Sequence, residues 1–181
     1  WSGDKYVGEW KNSKFNGDGI FIFPDSSVYN GSWKEAKRSG KGELFLSSNE
    51  SYQGEWKDDQ YDGLGYYSFA NGDTYLGDWK EGTQNGIGTV NSSQFKFTGN
   101  LINGKAQGYG EVFYKNTGDI YKGNFVNNLK SGLGTYIFKN GNRFEGEFEN
   151  DLFNGIGNLI FVDGNQFEGE FLNGKIYGEG S

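Results

Sequence analysis

The sequence predicts an all-β protein, an elongated single-layer antiparallel solenoid of β-hairpins, twisted and grooved. Three observations predict it. A phrase of about 23 residues recurs eight times along the 181-residue chain. Within each phrase the bulky residues alternate with a period of two, which puts them on one face of a strand. The composition pairs 32 Gly with 5 Trp, 12 Tyr and 16 Phe and holds a single Pro, so the glycine belongs to an ordered aromatic chain and not to a disordered linker.

The phrase reads aromatic, any, Gly, any, bulky, and then Gly-x-Gly seven residues later. It runs Tyr6-Gly8-Trp10 to Gly17 and Gly19, Tyr29-Gly31-Trp33 to Gly40 and Gly42, Tyr52-Gly54-Trp56 to Gly63 and Gly65, and Tyr75-Gly77-Trp79 to Gly86 and Gly88. The second half continues with Phe97-Gly99-Leu101 to Gly108 and Gly110, and with Tyr121-Gly123-Phe125 to Gly132 and Gly134. Phe144-Gly146-Phe148 then leads to Gly155 and Gly157, and Phe167-Gly169-Phe171 to Gly178 and Gly180. Starts are 23 residues apart, except 22 into the fifth repeat and 24 out of it.

The first strand of each repeat is the aromatic-Gly-bulky run. A second follows the Gly-x-Gly, as in Gly19-Phe21-Phe23 or Gly65-Tyr67-Phe69, which leaves stretches such as Asn12 to Gly17 as the loop between them. Asn71-Gly72, Asn140-Gly141 and Asp163-Gly164 carry turn chemistry between repeats. Glycine on the aromatic face lets rings from neighbouring strands lie flat on backbone. Each ring buries ~150–250 Å² that way, so stacking on glycine replaces a thick core.

These residues resemble the MORN repeat (membrane occupation and recognition nexus), whose phrase is Tyr-x-Gly-x-Trp followed by Gly-x-Gly. The resemblance covers Tyr6 to Gly180 and makes residues 1–181 one repeat array, with repeats starting near 6, 29, 52, 75, 97, 121, 144 and 167. It implies a single-layer hairpin rod that serves as a scaffold or docking module, with no catalysis by the repeats. Two departures stand out. Trp10, Trp33, Trp56 and Trp79 fill the bulky slot in the first four repeats, but Leu101, Phe125, Phe148 and Phe171 fill it in the last four. The fifth repeat lacks Gly in its preceding turn and is irregular in length, so a local kink is expected between Ser92 and Gly104. Open sheet edges need capping, so further repeats are expected beyond both ends and the array reads as a fragment of a longer chain.

The candidate sites follow from the two faces. The row Tyr6, Trp10, Tyr29, Trp33, Tyr52, Trp56, Tyr75 and Trp79 is core, ligand surface or both, and the resemblance implies that such an aromatic groove docks a partner peptide or helix. On the other face Ile22, Phe45, Phe113, Ile137 and Ile160 recur, either stacked in cross-strand rows or forming a lateral interface to a second copy or to flanking segments. Residues 143 to 170 hold seven acids against one arginine, among them Glu145, Glu147, Glu168 and Glu170. This patch favours a basic partner segment, unless it is only a solvated surface. Lys34, Lys37, Arg38 and Lys41 form a basic stretch that suits anionic lipid headgroups, but only weakly.

With no His, Cys or Met in the chain, there is no imidazole base, thiolate or N/S metal site. An enzyme would be badly equipped, and because the resemblance implies no catalysis by the repeats, no catalytic residue, metal or cofactor is expected. A net charge of −7 and a pI near 4.7 argue against nucleic acid as a partner. The leading reading is a non-catalytic protein-interaction scaffold with protein partners, a homodimer among them. By the resemblance it is cytoplasmic, on cytoskeletal or ciliary structures or at the membrane periphery. The alternative is a regulatory or membrane-proximal targeting module of a larger enzyme or junction protein. Choline-binding modules also string aromatic hairpins, but their Gly-Trp and Trp-Tyr-Tyr units do not match this phrase.

Overall fold

The computed structural model describes residues 3–178, so Gly180, which closes the eighth Gly-x-Gly, lies outside the described residues. Each repeat is one antiparallel hairpin, and the order of strands in the sheet is their order in the chain. The chain divides into two compact units, Trp1–Val90 and Asn91–Ser181. The first unit holds β1 (Lys5–Lys11), β2 (Lys14–Ile22), β3 (Val28–Lys34), β4 (Lys37–Phe45), β5 (Ser51–Lys57), β6 (Gln60–Ser68), β7 (Thr74–Lys80) and β8 (Thr83–Asn91, ending at the boundary). The second holds β9 (Phe95–Ile102), β10 (Lys105–Tyr114), β11 (Ile120–Val126), β12 (Leu129–Ile137), β13 (Arg143–Glu149), β14 (Leu152–Ile160), β15 (Gln166–Leu172) and β16 (Lys175–Tyr177). The unit boundary falls one residue before Ser92, where the sequence shows its irregular fifth repeat.

The turn inside each repeat is shorter than the sequence suggests. Asn12 to Gly17 is not a loop: only Asn12 and Ser13 connect β1 to β2, with φ of 50° and 60°. Asp58-Asp59 and Asn127-Asn128 do the same between β5 and β6 and between β11 and β12. Positive φ at both central residues is the tight hairpin turn whose twist matches that of the strands. The Gly-x-Gly therefore lies inside the second strand. Gly8 pairs with Gly19 and Trp10 with Phe15, so Glu9 alone faces the three residues Asn16 to Asp18. This is a bulge, and Gly17, at φ 74°, supplies the left-handed residue it needs. The Glu9 carboxylate accepts the freed Asp18 N–H at 3.2 Å, as Asp78 accepts that of Ile87 at 3.0 Å.

The turns between repeats behave as expected. Gly72 has φ 85°, and the Asn71 side chain accepts the Asp73 N–H at 3.0 Å.

The other two glycines of the phrase are required by close approach. Gly31 and Gly42 face each other in register, and a Cβ on Gly31 would lie 2.4 Å from the Gly42 Cα. The Tyr29 ring covers the pair, so a Cβ on Gly42 would lie 2.3 Å from its hydroxyl oxygen. The same geometry recurs at Tyr52 over Gly65 and at Tyr121 over Gly134. Aromatic rings on paired glycines thus form the core of each unit, in a single layer of sheet.

Candidate partner-docking faces

The aromatic face is built in two tiers. Its inner tier is buried: Tyr29, Tyr52 and Tyr75 are at most 1 % exposed and Trp33, Trp56 and Trp79 at most 7 %. Their polar atoms are used internally. The Tyr29, Tyr52 and Tyr75 hydroxyls donate to the carbonyls of Ser32, Glu55 and Asp78 at 2.7–3.0 Å. The indole N–H of Trp33, Trp56 and Trp79 donates to Gly19, Gly42 and Gly65 of the preceding repeat at 3.1–3.3 Å. Burial pushes the Tyr75 hydroxyl up to about 12, with the Asp78 charge adding to it. Of the eight residues expected to line a groove, only Tyr6, half-buried, and Trp10, exposed, offer ring surface.

The outer tier comes from the ends of the second strands and the residue just past each, and its side chains have no separate role in the sequence reading. In the first unit Phe21 and Phe23 pack at 4.7 Å between ring centroids and Tyr67 and Phe69 at 4.6 Å, with Leu46 in the repeat between them. All five side chains are half-buried. In the second unit Tyr136 and Phe138 repeat the pair at 4.9 Å.

In three repeats the ninth residue after the opening aromatic is itself a ring and stacks on it. Phe15 lies 4.0 Å from Tyr6, Tyr61 3.9 Å from Tyr52 and Phe153 4.0 Å from Phe144, all near parallel. Two repeats place a cation in that slot. Arg38 sits 4.3 Å over the Trp56 ring and pairs with Asp59 at 3.1 Å. Lys130, only 9 % exposed, lies within 6 Å of the Tyr114, Tyr121 and Tyr136 rings and pairs with Asp151 at 3.0 Å. Aligning the ninth positions would have singled out both residues. The basic stretch is thereby partly neutralised, since Lys37 also pairs with Asp58 at 3.3 Å.

The opposite face carries the remaining candidates. Phe45 and Phe113 are exposed there, whereas Ile22, Ile137 and Ile160 are half-buried beside their cross-strand neighbours. Glu145, Glu147, Glu168 and Glu170 are exposed on alternate residues of β13 and β15, which flank β14.

The MORN repeat family model matches residues 6–28, 29–49, 52–74, 75–90, 97–118, 121–143, 144–166 and 167–181. No curated protein matches the chain. Among solved structures it is similar to the Drosophila melanogaster SAS-4 (dCPAP) TCP domain in complex with a proline-rich motif of Ana2 (dSTIL). That match has TM-score 0.53 and 10% identity, and covers 91% of this chain and 88% of that one. The Danio rerio CPAP TCP10 domain in complex with a STIL peptide matches at TM-score 0.41 and 13% identity, covering 92% of this chain and 84% of that one. Hairpins of one sheet layer, glycine-seated rings and eight matched repeats agree: the chain belongs to the MORN repeat family.

Proposed function

We propose that the chain is a non-catalytic scaffold whose aromatic face docks an extended, proline-rich segment of a partner protein. The observation that carries this is the outer tier of the first unit, where Phe23, Leu46 and Phe69 present half-buried apolar surface at the same position of three successive repeats. A polyproline II segment arrives already extended and needs few hydrogen bonds, so it suits a ring-lined surface whose polar atoms are already occupied. Of the similar proteins, the SAS-4 domain is seen with a proline-rich motif, which agrees with this choice of ligand. The inner tier positions the surface without touching the ligand. Such a module works in the cytoplasm, on cytoskeletal or ciliary assemblies.

The test is a fluorescence titration of the chain with a synthetic proline-rich peptide, repeated with Phe23→Ser and Phe69→Ser. Saturable binding that either substitution weakens supports the reading. Binding indifferent to both contradicts it.

A further inference from the structure

The face of the second unit opposite the aromatic rings bears a row of apolar side chains on the outside of a single-layer sheet. Tyr109, Leu133 and Ile156 are 67 %, 68 % and 58 % exposed, the highest values of their repeats save for Val162 in a turn. Each is the middle residue of its Gly-x-Gly, at the bulge that faces the preceding strand. The glycines on either side leave the backbone bare. Between Tyr109 and Leu133 this produces a shallow depression of about 380 Å³, with Gly123 and Gly134 in its floor and Lys122 and Thr135 on its rim. Three protruding apolar residues at one-repeat intervals, with glycine between them, form a surface a partner's apolar side chains can enter.

Charge decides which partner. Leu133 lies in register with Glu147 and Ile156 with Glu170. One row along, Asn158 lies between Glu145 and Glu168. β14 thus runs as an apolar and amide strip between two rows of exposed glutamates, of which Glu145 pairs with Arg143 at 2.7 Å. A neutral or acidic apolar segment would meet like charge or uncompensated charge on both sides of this strip. A segment with one apolar stripe flanked by lysines or arginines meets complementary carboxylates along β13 and β15. We infer that the outer face of β12–β15 is a second docking surface, for a cationic amphipathic segment of a partner protein. It is independent of the aromatic face.

The experiment uses the whole chain and, as probe, a helical peptide of about 18 residues of Leu and Lys with all leucines on one face, beside a scrambled peptide of identical composition. Fluorescence anisotropy of the labelled probe gives the affinity over a salt series. The amphipathic peptide should bind at least about tenfold more tightly than its scrambled isomer. The double variant Leu133→Ser/Ile156→Ser should remove that preference, because it deletes the apolar strip. Glu168→Gln/Glu170→Gln should weaken binding by about tenfold and flatten its salt dependence. All four residues are exposed, so circular dichroism should show the fold unchanged. Phe23→Ser should leave this binding untouched, which separates the result from the proline-rich reading. Equal binding of the scrambled isomer would overturn the proposal, as would indifference to both double variants. A doubling of mass without peptide that Leu133→Ser/Ile156→Ser abolishes would assign the face to a second copy and overturn it too.

Discussion

Lys130 and Asp151 lie 21 residues apart and are joined twice through one oxygen: Asp151 Oδ1 accepts the Lys130 backbone N–H at 2.9 Å and lies 3.0 Å from its ammonium. The ammonium also donates to the Tyr114 hydroxyl at 3.1 Å. Asp151 belongs to the turn of the seventh repeat and Lys130 to the sixth, so the pair fastens one hairpin to the next. Asp59 does the same for Arg38, accepting its backbone N–H at 2.9 Å. An acid in the second turn position is therefore a device for stacking repeats, and a sequence reading of net charge cannot see it.

The two partners should respond unequally to substitution. Asp151→Asn leaves a nine-tenths buried ammonium without its counter-charge and should destabilise the fold by about 2 kcal/mol, less than a fully buried pair because the carboxylate is partly solvated. Lys130→Met keeps the volume among the three tyrosine rings and should change stability by less than about 1 kcal/mol. Urea unfolding of both variants measures the difference. Equal losses would mean that the attraction within the pair, and not the cost of a stranded buried ammonium, sets its contribution.

Gly42→Ala should be among the most damaging single-atom changes in the chain, at about 3 kcal/mol, because the new Cβ meets the Tyr29 ring over a facing glycine. Gly72→Ala is the contrast. Nothing lies within 4 Å of its Cβ, but its φ of 85° belongs to glycine, so about 1 kcal/mol should be lost. Thermal unfolding of both proteins checks the order. It separates glycine kept for room from glycine kept for conformation.

The eight repeats and their hairpins were legible because Tyr, Gly and Trp recur at fixed spacing and alternate in the strand manner. The glycine-seated core was legible for the same reason. The inner turn was not, because Gly17 in the sequence looks like the end of a loop, whereas its left-handed φ makes a bulge within β2. The groove was only partly legible. Tyr29 and Trp33 were recognisable as one face, but nothing in their identity says that the Trp33 N–H is already bonded to Gly19, which leaves Phe23 and Phe69 to supply the accessible rings. Lys130 was missed because a lone lysine among many is conspicuous only when ninth positions are compared across repeats.

Trp56→Phe should cost about 1 kcal/mol through loss of the N–H bond to Gly42. The last four repeats have Leu101, Phe125, Phe148 and Phe171 in that slot and never make this bond. Phe148→Leu, which removes ring area but no hydrogen bond, should instead cost in proportion to lost packing. Equilibrium unfolding of the two variants compares stitched with unstitched repeats.

High pH should unfold the protein cooperatively. Burial holds the hydroxyls of Tyr67 and Tyr75 up to about 12 in the fold, whereas an unfolded tyrosine titrates near about 10. A raised folded value means that the stabilisation is complete below about pH 10 and is lost as pH rises toward about 12. Tyrosinate absorbance and far-ultraviolet circular dichroism should therefore change together in that window. Titration of all the tyrosines with an intact sheet would contradict the burial of these rings.

On the proposed reading, the outer-tier rings of the aromatic face receive the partner. Nuclear magnetic resonance of the chain labelled at its phenylalanine and tyrosine rings, titrated with a proline-rich peptide, tests it most directly. Saturable shifts are expected at Phe21, Phe23, Tyr67 and Phe69, with the buried Tyr29 and Tyr52 little changed. Shifts confined to other surfaces, or none at peptide concentrations that saturate binding by another probe, would contradict it.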